Sequence, residues 1–250
     1  MNKFDVGPTG KDKGVNASTE MYMNQDTAEV FAGREKEDPN HGKISKIIEK
    51  TVLDLFTNKN IKIANLGAGA NPQKYSALLE KIQSGSKMDW VDISPKMLEL
   101  ASKEVDPSQE IRFIKNDFMG YLNSQDDKTL DCVIMQYAIN YIENLEKFFD
   151  LLSKKLNTDG AYIANLGTKV LKNNKEASFL VNGQEFTGQK SLVSGDRYTI
   201  QFLNEDGTIF ASTEKTFFSD EEILSKTAQY GLTTKIENID GFEVVIVKKP

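Results

Sequence analysis

The chain is poor in the residues that build covalent and metal scaffolds, with one cysteine, one histidine and one tryptophan among 250 residues. A lone Cys132 excludes an internal disulfide, and it fits a reducing compartment. One His and one Cys cannot assemble the usual nitrogen/sulfur metal site, so no metal is expected. Cys132 lies in an apolar strand and reads as a small buried hydrophobe rather than a nucleophile. Long apolar runs are also missing, and none approaches the ~20 residues of a membrane span. The first residues, Met1-Asn-Lys-Phe-Asp5, lack the apolar core of a secretion signal. A cytoplasmic protein with no membrane partner is the expectation. Basic residues are outnumbered, 31 Lys and Arg against 37 Asp and Glu, for a net charge of -6. Such a surface disfavours unspecific nucleic-acid binding, which needs phosphates neutralised, although a local basic groove stays open. No Gly-x-x-x-x-Gly-Lys-Ser/Thr phosphate loop occurs.

What the chain does have is a regular alternation of short apolar runs and helical periods. Hydrophobic residues make up 39%, enough for a sizeable core in a single domain. Residues 27–31 and 44–56 read as helices, the second through the spacing of Ile44, Ile47, Ile48, Val52, Leu55 and Phe56. Strand 61–66, helix 72–83, strand 88–92, helix 95–105 and strand 111–115 follow. Strand 131–136, helix 143–156 and strand 161–166 continue the pattern, the helix placing Leu145, Phe148, Phe149, Leu152 and Leu156 on one face. Alternation of this kind predicts an α/β fold with right-handed crossovers and a parallel sheet covered on both sides. Ser219-Asp-Glu-Glu222 is a capping box, and Gly231 ends the helix it starts. Strands 232–237 and 242–248 follow, joined by a link too short for a parallel crossover.

One turn stands out chemically. Ile61-Lys-Ile-Ala-Asn-Leu-Gly-Ala-Gly-Ala-Asn-Pro72 runs an apolar strand into Gly67 and Gly69, with Pro72 placed for a first helical turn. Glycines there let a ligand approach the backbone, and the following N–H groups are free to meet it. Asp92 closes the next strand, placed to accept hydrogen bonds from two ribose hydroxyls. A dinucleotide fingerprint would need a third glycine where the chain has Pro72.

With Asn65-Leu-Gly-Ala-Gly-Ala70, Val91-Asp-Ile-Ser-Pro-Lys-Met-Leu98, Asn116-Asp117-Phe118 and Leu130-Asp-Cys-Val-Ile-Met-Gln-Tyr137, the chain resembles the class I S-adenosylmethionine-dependent methyltransferases over roughly 44–249. The resemblance implies a Rossmann-like, seven-stranded, mostly parallel sheet with an antiparallel last strand, and S-adenosyl-L-methionine as cofactor. It also implies that the turn around Gly67, Ala68 and Gly69 lies against the cofactor's methionine part. Asp92 would hold the ribose, Asp117 would accept the adenine amino proton, and Phe118 would lie beside the ring. Ile93, Met97, Gln136 and Tyr137 complete the cofactor-binding set implied in the same way. Asn65 departs from the family, which usually has Asp or Glu at a position that helps bind the amino-acid end, so modest affinity is expected.

In the expected layout, residues 1–43 are a polar N-terminal segment and lid, and 44–250 the methyltransferase domain. The first 20 residues lack periodicity and are expected to be mobile. Met21, Tyr22, Met23, Phe31 and Arg34 are lid candidates, with Tyr22 and Arg34 facing substrate. Arg34 reads equally as a solvated helix-end charge. An insertion over 168–218 reads as a small antiparallel sheet, with a hairpin turn at Val181-Asn-Gly-Gln184 and Tyr198 and Phe202 as substrate contacts. It covers the substrate or serves only as a structural flap. Tyr137, Asn140 and Tyr141 follow the fourth strand and are candidates for orienting substrate or for packing. His41 is either a general base or an exposed loop histidine.

A small-molecule substrate is expected. Gln136-Tyr-Ala-Ile-Asn-Tyr141 also resembles the Gln-aromatic-x-x-His-Tyr motif of messenger-RNA cap guanine-N7 methyltransferases, with Asn140 in place of the histidine. That keeps RNA open as an alternative, beside a protein substrate and a non-catalytic cofactor-binding module. Oligomeric state is left open by the sequence.

Overall fold

The computed structural model describes residues 5–6, 21–57, 59–75, 78, 80, 85–166, 176–181 and 184–250. Its main sheet has strands β1 (Asp5–Val6), β2 (Lys62–Leu66), β3 (Lys87–Asp92), β4 (Ile111–Lys115), β5 (Leu130–Met135), β6 (Leu156–Asn165), β11 (Thr233–Ile239) and β12 (Phe242–Lys248). The order is β1-β4-β3-β2-β5-β6-β12-β11. Neighbours from β1 to β6 pair in parallel, whereas β12 runs antiparallel to both β6 and β11. The expected antiparallel last strand is therefore present. β1 puts a described part of the N-terminal segment on the sheet edge, while the rest of residues 1–20 lies outside the described residues.

Helices cover both faces. On one face α4 (Phe118–Ser124), α5 (Leu145–Lys155) and α6 (Asp220–Gln229) pack Tyr121, Phe148, Phe149 and Ile223 against Leu66, Val91, Met135, Tyr162 and Val245. On the other, α2 (Pro39–Leu55) and α3 (Pro95–Lys103) pack Ile44, Ile48, Val52 and Leu98 against Ile63, Trp90, Ile134, Ile163 and Val244. Strands buried on both faces explain their near-continuous apolar sequences. Cys132 is fully buried among them, and burial pushes its thiol pKa up, as fits an inert packing residue.

Some boundaries differ from the sequence reading. The expected helix over 72–83 begins as a 3-10 turn, Pro72–Tyr75, and beyond it only 78 and 80 are described, both helical. The helix expected to include Leu156 stops at Lys155. Leu156 is extended (φ -67, ψ 139) and opens β6, though it stays in the same core cluster. The Ser219 cap holds, its side chain accepting from the Glu222 N–H at 3.1 Å. No helix among the described residues is long and apolar enough to cross a membrane.

The insertion is a four-stranded antiparallel sheet in the order β10-β9-β8-β7, from β7 (Glu176–Val181), β8 (Gln184–Ser194), β9 (Arg197–Leu203) and β10 (Ile209–Thr216). Val181 pairs with Gln184, while the turn residues Asn182 and Gly183 lie outside the described residues. Ile200, Phe202, Ala211 and Phe217 meet Ala28, Phe31 and Ala32 of helix α1 (Gln25–Glu37), together with Ala70 and Met97. This third cluster stacks the small sheet on α1 and α1 on the glycine turn.

Candidate functional site

Strand order reverses at β2, whose neighbours β3 and β5 lead away in opposite directions, and the carboxyl ends of such strands form the binding crevice of open α/β sheets. Gly67 (φ 65) and Gly69 (φ 74) turn the chain here through the left-handed region that glycine tolerates. A Cβ on Gly67 would lie 2.9 Å from that of Ala138 and 3.2 Å from the Phe118 ring, so the turn is shaped around those two neighbours. β3 pins it: Ala68 N–H donates to Val91 O at 3.0 Å, and the Trp90 indole N–H donates to Gly69 O at 2.8 Å.

Asp92 accepts from Gly69 N–H and Ser94 N–H, both at 2.9 Å. Burial nevertheless raises its pKa to about 6, because desolvation outweighs those two bonds; Glu35 adds repulsion and Lys74 offsets part of it. A carboxylate has about four acceptor sites, so two are left for hydroxyl donors. Ile93 is half-buried beside it, and Met97 is buried in the third cluster. Asp117 is exposed and caps α4, accepting from Gly120 N–H at 2.7 Å. Phe118 is half-buried against the turn.

Several buried polar atoms here have no partner: both amide atoms of Asn65, Nδ2 of Asn116, Nδ2 of Asn165, the Tyr137 hydroxyl and Nδ1 of His41. Orphans of this kind carry a desolvation penalty and are rare unless a ligand answers them. Together with the close-fitting glycine turn and the acid at the β3 end, they fit an adenosyl amino acid. The described residues thus suit the implied cofactor.

Gln136 is occupied otherwise. Its Oε1 accepts from Ser45 and Tyr75 hydroxyls at 2.9 and 2.8 Å, and its Nε2 donates to His41 O at 3.0 Å. It braces α2 against the sheet. His41 lies in the first turn of α2, not in a loop, and is half-buried, its ring 4.4 Å from that of Tyr137. Burial lowers its pKa, helped by Arg34, Lys74 and Lys215, so the imidazole is neutral at pH 7. Tyr137 holds a strained φ of 57, fixed by its N–H donating to Asn165 Oδ1 at 2.7 Å.

Tyr22 and Tyr141 share a hydroxyl–hydroxyl hydrogen bond of 2.9 Å, which ties the segment before α1 to the turn that follows β5. Burial raises the Tyr22 pKa, reinforced by Tyr141. The Lys215 ammonium lies 4.5 Å from the Tyr141 ring centre. Asn140 donates to Thr216 O at 2.8 Å and so ties the end of β10 to the crevice. Arg34 faces Asp38 at 3.7 Å.

The fold brings Tyr22, Arg34, His41, Tyr137 and Tyr141 together. Phe202 instead packs edge-on against Phe31 at 5.0 Å and is buried, and Tyr198 packs on Phe217 at 5.4 Å. Glu35, Lys74 and Lys215 also reach the crevice and were not singled out in the sequence. The one signal was the position of Glu35 beside the lid candidate Arg34.

The family described as "Methyltransferase domain" matches residues 66–164. Malonyl-[acyl-carrier protein] O-methyltransferase 1 of Ilyobacter polytropus is 26% identical over 172 residues, 68% of this chain and 62% of that protein. The chain thus spans about three-fifths of that curated relative's length. Among solved structures, an S-adenosylmethionine-dependent methyltransferase from Clostridium acetobutylicum superposes with a TM-score of 0.66 at 16% identity, over 90% of this chain and 98% of that one. CalS10, an amino pentose methyltransferase from Micromonospora echinaspora solved with S-adenosylmethionine bound, gives 0.65 at 13% identity, over 91% and 98%. These distant structures share the fold, and the sequence matches agree with the glycine turn and its partner acid: residues 66–164 match the methyltransferase domain, and the fold is that of S-adenosylmethionine-dependent methyltransferases.

Proposed function

We propose that the chain transfers a methyl group to a nitrogen or oxygen nucleophile of a small molecule carrying an anionic group. The cofactor supplies the electrophilic methyl. Asn65, Gly67, Gly69, Asp92 and Asp117 would hold it. The observation that carries the small-molecule reading is the roof: α1 and the insertion sheet share one apolar cluster above the sheet edge, latched by the Tyr22–Tyr141 hydroxyl pair. Such a cover suits a ligand that can be enclosed, and it excludes water from the reacting atoms.

Lys215 supports the anionic group, because it makes no ion pair among the described residues and its charge lies beside Tyr141 and His41. The Ilyobacter relative, named as an O-methyltransferase of a malonyl carrier, agrees with acidic acceptors. His41, kept neutral by burial, is suited to accept a proton from a hydroxyl or amine as it attacks. Tyr137 and Tyr141 would orient that nucleophile.

The test is incubation with deuterium-labelled methyl donor and a cell extract separated into metabolite, RNA and protein fractions, read by mass spectrometry. Label in a low-mass acid is the expected result, reduced by Lys215→Met. Label confined to RNA or protein fractions would sink the reading.

A further inference from the structure

Glu35 lies in the last turns of α1, with its side chain only 12% exposed, and it reaches the glycine turn from above. Its carboxylate accepts from Ala70 N–H at 3.1 Å and faces Lys74 at 3.7 Å. It also lies directly against the open side of Gly69, where any Cβ would collide with it. Lys74 is held in place independently, donating to Ala68 O at 2.9 Å. At the end of β2 the residue nearest the turn with a polar side chain is Asn65, buried, uncharged and unpaired at both amide atoms. Asp92 is already bonded to two backbone N–H groups on the ribose side. Besides Asp92, the carboxylate over the turn therefore comes from α1, not from β2.

We infer that Glu35 is a cofactor-binding residue, receiving the primary ammonium of the cofactor's amino-acid end from across the glycine turn. The inference rests on the cofactor site described above. It follows from charge matching: a buried ammonium needs a charged acceptor, Asn65 offers only a neutral amide, and Glu35 has acceptor sites left after its bonds to Ala70 and Lys74. Because Glu35 belongs to α1, ammonium recognition also holds the lid shut. The ligand part that distinguishes an adenosyl amino acid from a plain adenosyl thioether would be read by the same helix that covers the substrate.

Glu35→Gln tests this, because the amide oxygen still accepts from Ala70 N–H while the charge is gone. Calorimetry should compare three ligands on the wild type and the variant. These are S-adenosylhomocysteine, the thiopropylamine analogue that keeps its ammonium but lacks its carboxylate, and 5′-methylthioadenosine, which lacks both. The variant should lose roughly tenfold or more for the first two, as expected for a charge-assisted hydrogen bond, and bind the third unchanged. Equal loss for all three, no loss, or loss for S-adenosylhomocysteine alone would overturn the assignment. Tighter binding by the variant would identify Glu35 as a plug competing with ligand and would overturn it as well. If the wild type binds none of the three, the cofactor site itself is refuted, an outcome distinct from a failure of Glu35. Far-UV circular dichroism and the melting temperature of the variant check that the fold is kept.

Discussion

Asp92→Asn should separate what this carboxylate does for the cofactor from what it costs the fold. Burial lifts its pKa from 3.8 to about 6 even though Ser94 and Gly69 N–H groups donate to it. The folded protein therefore holds the Asp92 proton more tightly than the unfolded chain does. The stability this contributes is complete below pH 3.8 and is lost as pH rises through about 6. Over the whole window the difference corresponds to about 3 kcal/mol, and about half of it falls between pH 5 and 8. Asparagine does not titrate, so the variant should lack this component. Urea unfolding of both proteins at pH 5, 6, 7 and 8 should show the variant gaining on the wild type by about 1.5 kcal/mol across that range. Its absolute stability carries a separate penalty, because the amide can accept from only one of the two backbone N–H groups. Binding should go the other way. S-adenosylhomocysteine affinity should fall by roughly tenfold or more in the variant, and in the wild type it should weaken as pH drops below about 6. Parallel pH profiles for the two proteins, or unchanged ligand affinity, would refute the reasoning.

Asp117 caps α4 and is the proposed acceptor of the adenine amino group, two roles that two substitutions can separate. Asp117→Ala should lose about 1 kcal/mol with the α4 cap, seen as a lower melting temperature, whereas Asp117→Asn keeps a capping oxygen. If Asp117 also accepts from the adenine amino group, the Asn variant, which turns its second oxygen into a donor, should bind S-adenosylhomocysteine more weakly at near-normal stability; normal binding would dismiss the adenine role. Removing the hydroxyls of the lid latch one at a time and together, as Tyr22→Phe and Tyr141→Phe, should give a coupling of about 0.5–1.5 kcal/mol in urea unfolding. Strictly additive effects would mean that the pair does not hold the lid.

Much of the sheet was legible in the sequence because strand and helix periods are local properties. The apolar spacing of Ile44, Ile48 and Val52 is that of α2, and the Ser219 capping box marks the start of α6 within one residue. Boundaries failed where packing decides them. Leu156 fits the apolar face of α5 yet belongs to β6, since it stays buried in the same cluster from either element. His41 looked like a loop residue because it precedes the apolar period that begins at Ile44, but the helix starts earlier, with Asp38 as N-cap and Pro39 in the first turn of α2.

By itself the sequence determined the α/β alternation, the left-handed glycine turn and the acid that ends β3, because each depends on residues a few positions apart. It also placed Asn65 as an uncharged residue at the strand end. Only the tertiary structure decided that α1 is pressed between the insertion sheet and that turn, and so which charges meet there. Glu35 meets Lys74 from another element, and Lys215 reaches Tyr141 and His41 from far along the chain, and no local period encodes those meetings. The same holds for the Tyr22–Tyr141 pair, 119 positions apart. Phe202 shows the converse: its place in β9 was readable, but whether it met substrate or Phe31 depended on where the lid helix packed, and the ring is buried against Phe31.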